Sequence, residues 1–389
     1  MLRNLPQIKV TVPELPLWKG VLPSPAIETF PFELSWDYEG FIRQTTETTI
    51  LEQISTAYSK DGYKFISPPP GSSDWGNELA NLYLDKLLEH IDDLDNKHIL
   101  EIGAGTTGFA QLLGARFNIA SYTIIDPAIN DNIENIRIIR NFFPCEEALD
   151  QPYDLIISLN TAEHVPNVSL FLEKLHELMD HQTHDTAAFV SLPDAGSQIV
   201  AGDLSVLLHE HINYFSVDLF KRFTLKKGFT INSLSVASDS IFASLTVGRT
   251  NETNSYPSMT LNPSLLEGII KITRVLNDFG IYLESFIKTR SVVFHGATPG
   301  LNSFLFLTEL GNCSGISITD GDQEKYGSYL PAHNVPIMEP HENLYKEADL
   351  IIISAPSFKK SIESYIRGLV SENTIVPLSF EGLTMLGNL

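Results

Sequence analysis

Glu101, Gly103, Gly105, Gly108 and Asp126 have the residue types and order needed at the adenosine end of a cofactor pocket. In the run Leu100-Glu101-Ile102-Gly103-Ala104-Gly105-Thr106-Thr107-Gly108, small residues let the backbone turn sharply and approach a ligand. Asp126 closes a second apolar run about twenty residues later, where a carboxylate can accept both hydroxyls of a ribose. A second polar cluster, His209-Glu210-His211-Ile212-Asn213-Tyr214-Phe215-Ser216, sets two imidazoles around a carboxylate. Such a group can supply a general base, because histidine titrates near neutral pH and an adjacent glutamate can orient or charge it. His-x-His spacing also occurs in metal sites, but no third ligand is evident nearby and no metal is expected.

These residues need a scaffold. His98 to Ile102 reads as a buried strand, Phe109 to Leu113 opens a helix, and Tyr122 to Ile125 reads as the next parallel strand with Asp126 at its carboxyl end. NAD enzymes share this order, so the ligand chemistry has to separate the readings. A dinucleotide places its pyrophosphate on the helix N-terminus, whereas S-adenosylmethionine has no phosphate and presents an amino acid and a sulfonium. Glu101, just before the first glycine, suits the cationic ligand. Tyr153 to Asn160 is a further buried strand running into Thr161-Ala162-Glu163-His164-Val165-Pro166, and this run resembles the fourth-strand motif of class I methyltransferases. That resemblance implies S-adenosyl-L-methionine as cofactor, held by Glu101, Gly103, Ala104, Gly105, Gly108, Asp126, Pro127, Asn160 and Ala162.

The 389 residues have room for two or three domains, and 43% hydrophobic with 19% charged content describes a globular chain. A formal net charge of -22 argues against nucleic-acid and anionic-membrane partners, since phosphates repel such a surface. Cys145 and Cys313 are the two cysteines, which allows neither a disulfide framework nor a thiolate zinc site. With no sustained apolar segment at the N-terminus and none long enough to span a membrane, the expected location is cytoplasmic.

The expected fold class is α/β: a doubly wound, Rossmann-like sheet followed by a second, smaller Rossmann-like α/β domain. Residues 1–75 read as a proline-rich extended arm and helical lid, with Asp37 to Ser59 as a helix candidate. Residues 76–250 read as the cofactor domain, ending in a hairpin of Phe229 to Val236 and Ile241 to Val247, with polar Gly248 to Ser258 as a linker. Within 251–290, Asn262-Pro263 starts a bridging helix that continues to about Ile287. Residues 291–389 form the second domain, opened by Ser291 to His295 running into Gly296-Ala297-Thr298-Pro299-Gly300 and followed by Ile316 to Asp320.

Together with H-E-H-x-x-Y-F-S and the later Tyr329-Leu330-Pro331-Ala332-His333-Asn334-Val335-Pro336-Ile337, this order resembles the bacterial sugar C-methyltransferases, over roughly residues 60 to 380. The resemblance implies methyl transfer to a nucleotide-linked keto-deoxysugar, with the C-terminal domain helping to hold the nucleotide-sugar. It places Glu210 and His211 on a catalytic Glu-His pair, His164 near a further active-site histidine, and Tyr63 or Phe65 near a family tyrosine. In this reading His211 is the base, Glu210 orients it, and His164 or His209 bonds the sugar or stabilises an enolate oxygen. The sequence departs from the family in having no cysteine before Cys145, where a zinc module usually stands. It also has Leu208 before His209 instead of a tyrosine, and Ser238-Asp239-Ser240-Ile241 in place of a glycine-rich turn. O-methylation of a sugar or another small molecule is the alternative, and a cofactor-binding scaffold without turnover is the alternative of another class.

Overall fold

The structure is a computed structural model describing residues 9–36, 42–44, 48–58, 70, 74–130, 132–182, 185–247 and 263–387. Three strands open it: β1 (Lys9–Pro16), β2 (Thr29–Trp36) and β3 (Ile42–Gln44). Strands β1 and β2 pair antiparallel, with a shift of register between Val12 and Leu15, and β3 continues on β2. The proline-rich segment is therefore sheet rather than an extended arm. Its prolines exclude helix but are tolerated at strand ends and in an edge strand such as β1. Within the expected Asp37 to Ser59 helix, Ile42–Gln44 is strand, and α1 (Thr48–Tyr58) begins only after it.

After α2 (Asp74–His90) comes an alternating series: β4 (His98–Ile102), α3 (Gly108–Arg116), β5 (Ser121–Ile125), β6 (Ile136–Ile139), β7 (Leu155–Leu159), α4 (Val168–Asp180), β8 (Ala187–Pro193) and α5 (Ala195–Ala201). The short β9 (Asn213–Tyr214), α6 (Val217–Lys226), β10 (Phe229–Ala237) and β11 (Ser240–Val247) follow. The seven-stranded sheet runs β10-β11-β8-β7-β4-β5-β6. From β8 to β6 it is parallel, and the β10–β11 hairpin closes one edge antiparallel. Strands β4 and β7 are mostly apolar, with Glu101 and Ser158 as their buried polar residues, because helices cover both faces. On one face Leu100, Ile156 and Leu175 share a core with α4 and α6, and on the other Ile99, Ile157, Leu84 and Leu113 pack with α2 and α3.

The bridging helix is α7 (Pro263–Arg274) and α8 (Gly280–Phe286), joined by one π-helical turn at Val275–Phe279. The polar linker Gly248 to Ser258 lies outside the described residues. A parallel five-stranded sheet in the order β14-β13-β12-β15-β16 completes the fold. Its elements are β12 (Val292–His295), α9 (Pro299–Leu307), β13 (Ile316–Thr319), β14 (Ile337–Met338), α10 (Glu342–Glu347), β15 (Leu350–Ile353), α11 (Lys359–Leu369), β16 (Ile375–Pro377) and α12 (Phe380–Gly387).

Two connections tie the N-terminal strands to the rest of the chain. Strand β9 pairs with β3, so the N-terminal sheet runs β1-β2-β3-β9 and grips the chain directly after His211. Leu22 and Tyr329 exchange backbone hydrogen bonds, and Val12, Leu15 and Phe32 share a core with Phe294, Leu301 and Phe304. The N-terminal segment is thus built into both the site loop and the C-terminal sheet.

Helix α7 lies close on α5, where a Cβ at Gly268 would stand 2.3 Å from the Ile199 carbonyl oxygen. Gly268→Ala is expected to destabilise the fold by about 1–3 kcal/mol through overpacking. Urea unfolding checks this, as a lower midpoint at unchanged slope.

Candidate active site

The glycine turn after β4 has left-handed backbone at Gly103 (φ 74°) and Gly105 (φ 68°), which L side chains rarely adopt. A Cβ at Gly103 would meet the Thr161 hydroxyl at 2.4 Å, so only glycine fits between the β4 and β7 loops. Thr161 Oγ1 in turn donates within reach of the Ile102 carbonyl oxygen at 3.1 Å. Asp126, buried at the carboxyl end of β5, ties the turn down: Gly105 N–H donates to its Oδ2 (2.8 Å) and Ala128 N–H to its Oδ1 (2.7 Å). Each carboxylate oxygen can accept a second bond, so both remain able to receive ribose hydroxyls. Burial raises the Asp126 pKa, and those two N–H donors oppose the rise.

Glu101 is only 2% exposed and accepts a hydrogen bond from Tyr122 Oη at 2.8 Å. Burial, helped by nearby Asp126 and opposed by that bond, pushes its pKa up to about 8. It is a shielded carboxyl beneath the turn rather than an open counter-charge. Asn160, left-handed at φ 49° after β7, donates through its side-chain amide to Tyr83 Oη of α2. Ala104, Gly108, Pro127 and Ala162 are partly exposed around the same edge. The turn, the carboxylate and the Asn160 loop fit an adenosine-bearing cofactor: Asp126 offers acceptor oxygens beside a turn that carries no side chain at Gly103 and Gly105. Asp126→Ala removes two charge-assisted bonds, so S-adenosylmethionine affinity is expected to fall about 10- to 100-fold, measured by calorimetric titration.

The second cluster assembles where the β7 loop meets the segment before β9. Glu163 carbonyl accepts from Ile212 N–H (2.8 Å) and Asn213 N–H (2.9 Å), while Asn213 Nδ2 donates to the Ala162 and Val165 carbonyls. This stitching sets the His164 and His211 rings edge to face, with centroids 4.9 Å apart. Arg43 of β3 adds a hydrogen bond to the Pro166 carbonyl at 2.8 Å. Burial lowers the pKa of His164 to about 4 and holds that of His211 well below its ordinary value, with His164 adding to the effect on His211. Both rings are therefore neutral near pH 7.

His209 does not join them. It is fully buried against the edges of Phe30 and Phe32, under the N-terminal sheet, and burial lowers its pKa to about 4. A turn at residues 209–210, closed by His211 N–H on the Leu208 carbonyl at 3.2 Å, separates it from His211, so it belongs to the core and not to the site. Glu210 is also buried; its carbonyl oxygen accepts from His164 Nδ1 at 3.0 Å. The carboxylate grouped with the two imidazoles is instead Glu163, whose Oε1 lies 3.8 Å from His164 Nε2. One donor atom from each of Glu163, His164 and His211 falls within 4.8 Å of the others, a grouping able to hold a cation. The sequence shows Glu163 beside His164 but gives no sign that its side chain turns inward. Tyr63 and Phe65 lie outside the described residues.

The C-terminal sheet repeats the turn construction. Asp320 ends β13, accepts from Ala297 N–H at 2.7 Å and Asp322 N–H at 2.9 Å, and carries an ion pair with Lys325 at 2.9 Å.

Residues 73–234 match a family model described as a methyltransferase domain. A comparison with curated proteins gave no match. Among solved structures, the chain is similar to an S-adenosylmethionine dependent methyltransferase from Mesorhizobium loti, at 12% identity and TM-score 0.32, over 40% of this chain and 92% of that one. A protein from Pyrococcus horikoshii is similar at 14% identity and TM-score 0.36, over 46% of this chain and 96% of that one. Mycolic acid cyclopropane synthase, solved with S-adenosylhomocysteine, is similar at 13% identity and TM-score 0.32, over 48% and 74%. No helix among the described residues is long and apolar enough to cross a membrane. With the glycine cradle and Asp126 in place under the matched domain model, the chain is an enzyme carrying a methyltransferase domain at residues 73–234, and its cofactor is S-adenosyl-L-methionine.

Proposed function

We propose that the chain methylates a sugar carried on a nucleotide, with His211 as the base that takes the acceptor's proton. The observation that carries this reading is the neutral His164–His211 pair at the carboxyl edge of the cofactor sheet, beside the Asn160 loop. Bound S-adenosylmethionine supplies an electrophilic methyl group on a sulfonium. His211, partly exposed and neutral, has a lone pair available to remove a proton beside a keto group or from a hydroxyl. His164 sits against it to bond the acceptor oxygen on which negative charge develops.

The resemblance of the H-E-H-x-x-Y-F-S run to sugar C-methyltransferases supports the acceptor class. The C-terminal sheet supports a second nucleotide-sized ligand, because Asp320 and the Ala297 turn reproduce the Asp126 and Gly105 arrangement. Expected site residues are Gly103, Ala104, Gly105, Gly108, Asp126, Pro127, Asn160 and Ala162 for the cofactor, with Glu101 buried beneath the turn, and His211 and His164 for the acceptor. Binding is tested by titrating nucleotide-sugars, the matching free sugars and nucleoside diphosphates in the presence of S-adenosylhomocysteine. The reading expects a nucleotide-sugar to bind at least about tenfold more tightly than its free sugar. Equal or absent binding of every nucleotide-sugar would overturn it.

A further inference from the structure

Glu163 takes no part in the methyl transfer proposed above, yet its side chain is 2% exposed and neither carboxyl oxygen has a hydrogen-bond partner. An unpaired carboxylate in a dry site is costly, so such a group calls for a ligand. Its neighbours are ring nitrogens. His164 Nδ1 faces the Glu210 carbonyl oxygen at 3.0 Å, which can only accept, so Nδ1 carries the N–H and Nε2 is a lone pair. Nε2 lies 3.8 Å from Glu163 Oε1, too far for a hydrogen bond. Two donors bound to one four-coordinate ion at about 2.1 Å stand roughly 3.4 Å apart. One atom each from Glu163, His164 and His211 falls within 4.8 Å of the others, so side-chain movements of about 1 Å bring all three onto one ion.

The donor set selects the ion. Two imidazoles and one carboxylate suit zinc and its transition-metal neighbours, whereas calcium and magnesium take shells of oxygen. The bond from His164 Nδ1 to a backbone carbonyl is the outer contact that fixes the tautomer and ring orientation of a ligating imidazole. His164 and His211 are both partly exposed, which gives an ion its entry, and a chain of net charge -22 draws cations. His209, the partner that His-x-His spacing suggests for His211, is instead packed in the core. We propose that Glu163, His164 and His211 form a site for one zinc-type divalent cation, and that an ion held there switches off methyl transfer by taking the His211 lone pair. A nitrogen bound to a cation cannot accept the acceptor's proton, so ion and turnover exclude each other at this residue. The inhibition rests on the proposed role of His211 as the base; the cation site does not.

The test titrates zinc chloride into the chelator-treated full chain, wild type beside Glu163→Gln, with cobalt(II) as a second probe. Wild type should take up one zinc, and E163Q, which keeps the shape and loses the anionic ligand, should bind it at least about tenfold more weakly. Cobalt(II) should give wild type the visible absorption of a nitrogen- and oxygen-ligated ion, which E163Q and H211A should both lose at the same concentration. In methyl-transfer assays saturating zinc should lower the wild-type rate at least about tenfold, a chelator should restore it, and E163Q should need at least about tenfold more zinc for the same inhibition. No uptake by wild type, or equal zinc affinity in wild type and E163Q, would overturn the site. An enzyme that is inactive after chelation and recovers with zinc would overturn the inhibition, since the ion would then serve the reaction. One bound zinc with undiminished transfer would overturn the inhibition and the base role of His211 together, with the site standing. Intact zinc and cobalt results with no turnover on any nucleotide-sugar would place the failure in the acceptor reading alone.

Discussion

Replacing His211 with alanine is expected to lower methyl-transfer turnover by about 10²- to 10⁴-fold, the range that a positioned general base contributes. S-adenosylmethionine affinity should change by less than about twofold, because the cradle is built by the β4 turn and Asp126 on other loops. The geometry makes this split readable. His211 stands between the cofactor loop containing Asn160 and the short strand β9, held from behind by Gln44 N–H on the Ile212 carbonyl at 3.0 Å and by the Ile42–Tyr214 pairing. Removing the ring therefore leaves the backbone frame in place. Unchanged turnover in H211A would remove His211 from the base role, and a parallel loss of cofactor binding would show that the loop, not the imidazole, carries the effect.

The second large effect is expected at Gly103→Ala. Its φ of 74° is in the left-handed region, which costs an L residue roughly 1–2 kcal/mol. The new methyl would also overlap Thr161 Oγ1 at 2.4 Å and Cγ2 at 2.5 Å. Thr161 cannot simply turn aside, since its hydroxyl is packed among the carbonyls of Ile102, Gly103 and Leu159. Overpacking of this kind adds about 1–3 kcal/mol. The variant should unfold at lower urea and bind S-adenosylmethionine at least about tenfold more weakly. Combining it with Thr161→Ala should recover the overlap part of the loss while leaving the backbone strain, a coupling that separates the two causes. Wild-type affinity in the single variant would mean that the turn relaxes without cost and that Thr161 does not hold the cradle rigid.

The parallel sheet was legible because its strands are buried on both faces, so Ile99 to Ile102 and Leu155 to Leu159, apolar but for Glu101 and Ser158, stand out between glycine and polar turns. The turn itself was legible for a steric reason, since Gly103 and Gly105 occupy backbone that other residues avoid. The N-terminal sheet was not. Proline content excludes helix but does not reveal pairing, and the contact of β3 with the two-residue β9 joins segments far apart in the chain. That pairing also decides the fate of the histidines. With β9 clamped, His211 turns toward His164, and His209 enters a core lined by Phe30 and Phe32. No local pattern carries that information. Glu163 was hidden for a related reason: its neighbours name a loop motif, but nothing local shows that its carboxyl is buried where the 211–213 segment pairs with its backbone carbonyl.

The measurement that tests the account most directly is single-turnover transfer from methyl-labelled S-adenosylmethionine to a panel of keto and reduced nucleotide-sugars, with the product's methyl environment read by NMR and H211A run beside wild type. The account predicts a new methyl on the sugar in wild type, carbon-bound from a keto acceptor or oxygen-bound from a hydroxyl acceptor, and its loss in H211A. Cofactor bound at full occupancy with no labelled sugar from any member, or equal product from H211A, would contradict it.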